Sequence, residues 1–141
     1  MNRKIEGIIF DWVGTLYKRG EGIFPWSAHV LQTLKPSYKL GLVSIAKEGV
    51  AQRKQELGSS GILHYFDAVI VDVSKGDEQY LACMRQLGTQ PETTAIVDGR
   101  TVRGIGVGKR LGCVTSGSPE ETMRMRCLLP RPVSQPIALR R

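Results

Sequence analysis

Two regimes of apolar patterning alternate along this chain. Four short, nearly continuous apolar runs, at residues 5–11 (IEGIIFD), 40–44 (LGLVS), 68–73 (AVIVDV) and 94–98 (TAIVD), have the length and β-branched content of buried strands. Between them, apolar residues recur at helical spacing. Trp26, Val30, Leu31 and Leu34 form one stripe that Pro36 ends. A polar stretch over 47–57 predicts a second helix closed by Gly58. Tyr80, Leu81, Met84 and Leu87 mark a third, with Asp77 as its N-cap and Gly88 as its stop. Residues 17–22 read as a polar loop. Residues 101–111 have helical length, although Gly104, Gly106 and Gly108 each cost about 1 kcal/mol against alanine, and residues 112–115 predict a short fifth strand.

Strands that alternate with helices in this way predict parallel β-α-β units, with helices on both faces of one sheet. The expected architecture is a single three-layer, Rossmann-like α/β domain with a central parallel sheet over residues 1–115. Sheets of this kind bind ligands at the carboxyl ends of their strands. The polar residues that finish the strands, Asp11, Ser44, Asp72 and Asp98, are therefore expected to converge on one cleft. Residues 116–141 carry no period and hold Pro130, Pro132 and Pro136 within seven residues, which reads as an irregular basic tail.

Composition narrows the class. A chain of 141 residues fits one domain, and 41% hydrophobic with 23% charged residues is an ordinary globular mixture. No apolar run approaches the roughly 20 residues needed to cross a bilayer, and no leader pattern follows the N-terminal basic pair, so a cytoplasmic, non-membrane protein is expected. The formal charge is +7; residues 1–115 hold 15 Lys and Arg against 11 acids, and 116–141 hold 5 against 2. Without a basic run interleaved with aromatics, nucleic acid is not indicated as a partner. Cys83, Cys113 and Cys127 are widely separated and accompanied by only two histidines, His29 and His64, so they read as buried or idle thiols rather than a zinc site. The histidines read as surface or packed residues. The oligomeric state is left open.

The chemistry lies at the strand ends. Phe10-Asp11-Trp12-Val13-Gly14-Thr15-Leu16 resembles the first motif of the haloacid-dehalogenase-like (HAD) hydrolase superfamily, a hydrophobic strand ending in an aspartate followed by x-x-Gly-Thr-Leu. Three further stations follow in order. Ser44 is similar to the second-motif Ser/Thr, Lys75 in Val73-Ser74-Lys75-Gly76-Asp77 to the third-motif lysine, and Ile96-Val97-Asp98-Gly99-Arg100 to the acidic fourth motif. The resemblance implies Asp11 as the nucleophile, since a carboxylate can form an acyl phosphate that water later cleaves. It implies a phosphoryl group cradled by the backbone at Gly14 and Thr15 and held by Ser44 and Lys75. It also implies Mg²⁺ on Asp11, the Val13 carbonyl and Asp98.

Two departures from the family pattern qualify this expectation. Val13 stands where the family's phosphatases place a second aspartate, the general acid/base, whose loss costs roughly 10²–10⁴-fold in rate. Gly99 stands where the more important fourth-motif acid is expected, with Asp72 and Asp77 as possible substitutes by location. Only 27 residues separate Leu16 from Ser44, too few for a large cap once a helix is subtracted, so the cleft would admit small or macromolecular phosphorylated substrates alike. The expected function is a weak Mg²⁺-dependent phosphate-ester hydrolase. A non-catalytic relative that binds a phosphorylated ligand or partner protein is the alternative, and a dehalogenase ranks third. Trp12 reads equally as a wall of the cleft or as a core residue.

Overall fold

The computed structural model describes residues 5–46, 49–73 and 76–97, and the backbone of 114–116. In chain order the elements are β1 (Gly7–Phe10), a hairpin of β2 (Tyr17–Lys18) and β3 (Gly22–Ile23), α1 (Ser27–Leu34), β4 (Lys39–Ile45), α2 (Val50–Ser59), β5 (Ala68–Asp72), α3 (Asp77–Leu87), β6 (Thr94–Val97) and β7 (Val114–Ser116). Single 3₁₀ turns at Leu63–Tyr65 and Pro91–Thr93 lead into β5 and β6. The five long-range strands form one sheet in the order β5-β4-β1-β6-β7, and every pairing in it is parallel.

Alternation along each strand divides the core into two layers, as a two-residue side-chain period requires. On one face, Ile8 and Phe10 of β1, Leu40 and Leu42 of β4, and Ala95 and Val97 of β6 pack with Val30, Leu31 and Leu34 of α1 and Leu57 of α2. On the other, Ile9, Val43 and Ile96 pack with Tyr80, Cys83, Met84 and Leu87 of α3. The predicted three-layer α/β architecture with a central parallel sheet is the one observed. Among the described residues no helix is long and apolar enough to cross a membrane.

Local chemistry sets the helix limits. In α3, Asp77 and Glu78 occupy the first turn and Arg85 the last, matching the helix dipole at both ends. Gly88 takes a left-handed φ of 77° and its N–H donates to the Met84 carbonyl at 2.8 Å. Four expectations need correcting. The residues read as a polar loop at 17–22 make the β2–β3 hairpin, because Gly20 and Gly22 supply the positive φ values (82° and 99°) that its tight turn uses. The second helix does not close at Gly58 but runs through it to Ser59, and Gly61 (φ 83°) makes the turn. Gly76 rather than Asp77 is the N-cap of α3. Ser116, placed in the tail by sequence, ends β7. The predicted helix at 101–111 and residues 117–141 lie outside the described residues.

Candidate active site

β1 is the central strand, buried on both faces, and it delivers Asp11 to the carboxyl edge of the sheet. The Asp11 N–H donates to the Val97 carbonyl of β6 at 3.0 Å, and the residue is 5% exposed. The chain then closes a tight turn on a single acceptor. The Trp12 carbonyl receives the N–H groups of Thr15 (3.1 Å), Leu16 (2.9 Å) and Tyr17 (3.0 Å). Gly14 turns with φ 87° and donates its N–H to the Tyr17 carbonyl at 2.8 Å. Thr15 Oγ1 lies 3.5 Å from Asp11 Oδ2, at the outer limit of a hydrogen bond. Trp12 is wholly buried and stacks on Tyr17 at 5.0 Å, so it supports the turn from within the core.

This geometry bears on the expected backbone cradle. The Gly14 and Thr15 amides are engaged inside the turn, whereas those of Trp12 and Val13 donate to no backbone acceptor among the described residues. The Val13 carbonyl accepts no backbone hydrogen bond among them either. The Val13 side chain packs against the core. Sequence spacing carries no signal for this, because it depends on which amides the turn itself consumes.

Ser44 stands at the same edge on the neighbouring strand. The register pairs Phe10 with Leu42 and Ser44 with Val71, which places Ser44 two residues beyond the partner of β1's last residue. It is 1% exposed. Its hydroxyl accepts a hydrogen bond of 2.5 Å from Arg53 Nη1 of α2, which also donates to the Ile45 carbonyl at 2.9 Å. Arg53 was not foreseen: it sits in a polar stretch of helix, and nothing in its spacing distinguishes it from a solvated arginine. The structure thus brings Asp11, Val13, Gly14, Thr15 and Ser44 to one edge. Lys75, Asp98 and Gly99 lie outside the described residues.

Asp72 ties the end of β5 to α3. Its Oδ2 accepts from Gln79 Nε2 at 3.0 Å and its Oδ1 from the Val73 N–H at 2.7 Å. These bonds, the Gln79 one foremost, hold its carboxyl below the usual range. His29 and His64 are exposed, as expected of surface residues. Beside the turn, a polar groove of about 460 Å³ runs between the hairpin (Tyr17, Gly22, Ile23) and α2 (Gln52, Gln55, Glu56). Among the described residues no three His, Cys, Asp or Glu side chains group as a metal site.

No protein-family model matches the sequence, and no curated protein matches it significantly. Solved structures do resemble it. A HAD-superfamily hydrolase from Ehrlichia chaffeensis superposes with a TM-score of 0.71 at 14% identity, over 92% of this chain and 98% of its own. A haloacid-dehalogenase-like family hydrolase from Xanthomonas campestris gives 0.70 at 10% identity, over 81% and 82%. The phosphatase-domain-containing N-terminal part of a Bacteroides fragilis protein, complexed with Mg, gives 0.65 at 13% identity, over 90% of this chain and 40% of its own. With the sheet order, the aspartate at the tip of its central strand and these likenesses together, the chain has the haloacid-dehalogenase-like fold.

Proposed function

We propose that this protein is a Mg²⁺-dependent phosphate-ester hydrolase of low turnover that works through an aspartyl phosphate on Asp11. The observation that carries this reading is the end of β1, where a carboxylate is held at the tip of the central strand beside two amides, of Trp12 and Val13, that the turn leaves unused. An Asp11 oxygen attacks phosphorus and the ester oxygen leaves; water then attacks the same phosphorus, releasing phosphate and restoring the carboxylate. The two amides and the Ser44 hydroxyl would receive the phosphoryl oxygens, with Lys75 adding charge. The donor chemistry fits a hard cation: the Asp11 carboxylate and the Val13 carbonyl, which accepts no backbone hydrogen bond among the described residues, would be oxygen ligands, with Asp98, the fourth-motif acid, as the third. Bound there, Mg²⁺ would neutralise charge developing on the transferring group. The Mg-complexed Bacteroides relative supports this choice. The setting proposed is cytoplasmic.

Low turnover follows from Val13, whose side chain packs against the core and cannot carry a proton. The same observation favours the second reading, a binding protein for phosphorylated ligands. Hydrolysis of para-nitrophenyl phosphate at millimolar Mg²⁺ separates the two. Activity that Asp11→Asn abolishes supports the hydrolase; no turnover by the native protein or by Val13→Asp, Gly99→Asp leaves the binding protein.

A further inference from the structure

Arg53 is the described cation whose bonds reach a strand tip at the site, and its contacts are specific. Its side chain is 12% exposed. Nη1 donates to Ser44 Oγ at 2.5 Å and to the Ile45 carbonyl at 2.9 Å, and Nε donates to Glu56 Oε1 at 3.1 Å. A guanidinium is always charged and fixes five N–H donors in one plane, so three anchored donors hold the whole group in place. Among the described residues nothing accepts from Nη2.

A serine hydroxyl has one proton and two lone pairs. With Arg53 donating into Ser44 Oγ, the serine's own proton must point away from the guanidinium and is available to another acceptor. We propose that Arg53 is a positioning residue for Ser44: it turns the hydroxyl into a committed donor toward a bound phosphate and supplies positive charge on the β4 side of the site. A phosphate oxygen bonded to Ser44 would lie about 4–5 Å from Arg53 Nη1, since the two hydrogen bonds meet at one hydroxyl oxygen at a bent angle, close enough for substantial attraction in a partly buried setting. Glu56, bonded to Nε, tempers that charge, so the pair sets how strongly the site attracts an anion. The inference rests on the phosphate-hydrolase reading for the chemistry of the ligand, but it needs only binding, not turnover.

Inorganic phosphate is the probe, titrated calorimetrically into the full chain and into its variants, with each melting temperature recorded alongside. Arg53→Gln is expected to weaken phosphate binding about tenfold, the scale of one charged hydrogen bond. Arg53→Lys falls between it and the native protein, since lysine restores charge but not the fork. Glu56→Gln, which unleashes the guanidinium, is expected to tighten binding, a gain that a purely structural tie between α2 and β4 would not give. In the Ser44→Ala background the loss from Arg53→Gln shrinks, because most of the effect passes through the hydroxyl. Native-like phosphate affinity in folded Arg53→Gln overturns the proposal. Should that variant not fold, unchanged affinity in Glu56→Gln overturns it instead. A native protein that binds no phosphate sinks this inference, while turnover of para-nitrophenyl phosphate decides the hydrolase separately; one that binds phosphate in this Arg53-dependent way without hydrolysing para-nitrophenyl phosphate sinks the hydrolase alone.

Discussion

At Gly41, in the middle of β4, a β-carbon would stand 2.6 Å from Cys83 Sγ and 3.1 Å from Leu87 Cδ1, so α3 rests directly on the strand's backbone. Gly41→Ala is expected to cost about 1–3 kcal/mol, the scale of overpacking in a dense core. Removing the obstructing sulfur in Gly41→Ala, Cys83→Ala is expected to return most of that, because one methyl then fills what the sulfur vacates; denaturant midpoints of the three proteins check this. A second residue-scale prediction concerns Val13. Val13→Asp is expected to raise turnover by about two orders of magnitude, the lower end of what general acid/base groups supply, and more for alkyl phosphates than for para-nitrophenyl phosphate, whose leaving group needs little protonation. An equal gain on both substrates would argue against an acid/base role at this position. Asp11 and Ser44 were legible because a polar residue closing an apolar run marks a strand tip. Which of the amides after Asp11 the turn leaves available was not, since that is decided only when the Trp12 carbonyl collects three other N–H groups.

Among the elements, the entry to β5 is tied by one carboxylate. Asp67 Oδ2 accepts from the Leu40 N–H at 2.9 Å, its own N–H donates to the Leu40 carbonyl at 2.7 Å, and Lys35 Nζ, just past α1, meets Oδ1 at 2.8 Å. Burial alone would raise the Asp67 pKa, but the Lys35 and Leu40 hydrogen bonds and the charges of Lys35 and Lys39 together lower it. A carboxyl with a depressed native pKa stabilises the fold fully above its unfolded value, near pH 4, and loses that contribution as pH falls through the native one. Asp67→Asn is thus expected to be less stable than the native protein at pH 7, with the difference closing toward pH 2 in unfolding measurements. A gap independent of pH would show that the carboxylate's charge is not what matters. Strands and their flanking helices were legible because periods of 2 and 3.6 survive in the buried residues. The hairpin was not, since β2 and β3 are two residues each and bury little. Nor was the end of α2, where only Leu57 is buried and Gly58 faces open space, so no packing marks where the helix stops.

For the whole molecule, the sequence pattern implied helices on both faces of a parallel sheet. The order β5-β4-β1-β6-β7 came from pairing that no single segment encodes. Cys83 reports on the integrity of that assembly. It lies fully buried between α3 and the sheet, and desolvation pushes its thiol up to about 12, only slightly offset by a backbone hydrogen bond at Leu42. Its labelling by a thiol reagent, followed by peptide mass spectrometry, is expected to require global unfolding and to rise with denaturant in step with the main transition. Labelling in native buffer would show instead that α3 lifts off by itself. The β2–β3 hairpin gives the fold a different kind of opportunity. Its tip residues Lys18 to Glu21 are exposed, an ion pair of 3.3 Å spans them, and the glycines at 20 and 22 have only open space around them. A polypeptide spliced in there would leave the sheet untouched yet extend from the hairpin that, with α2, walls the groove, which makes this tip the natural port for engineering a lid and, with it, substrate selectivity.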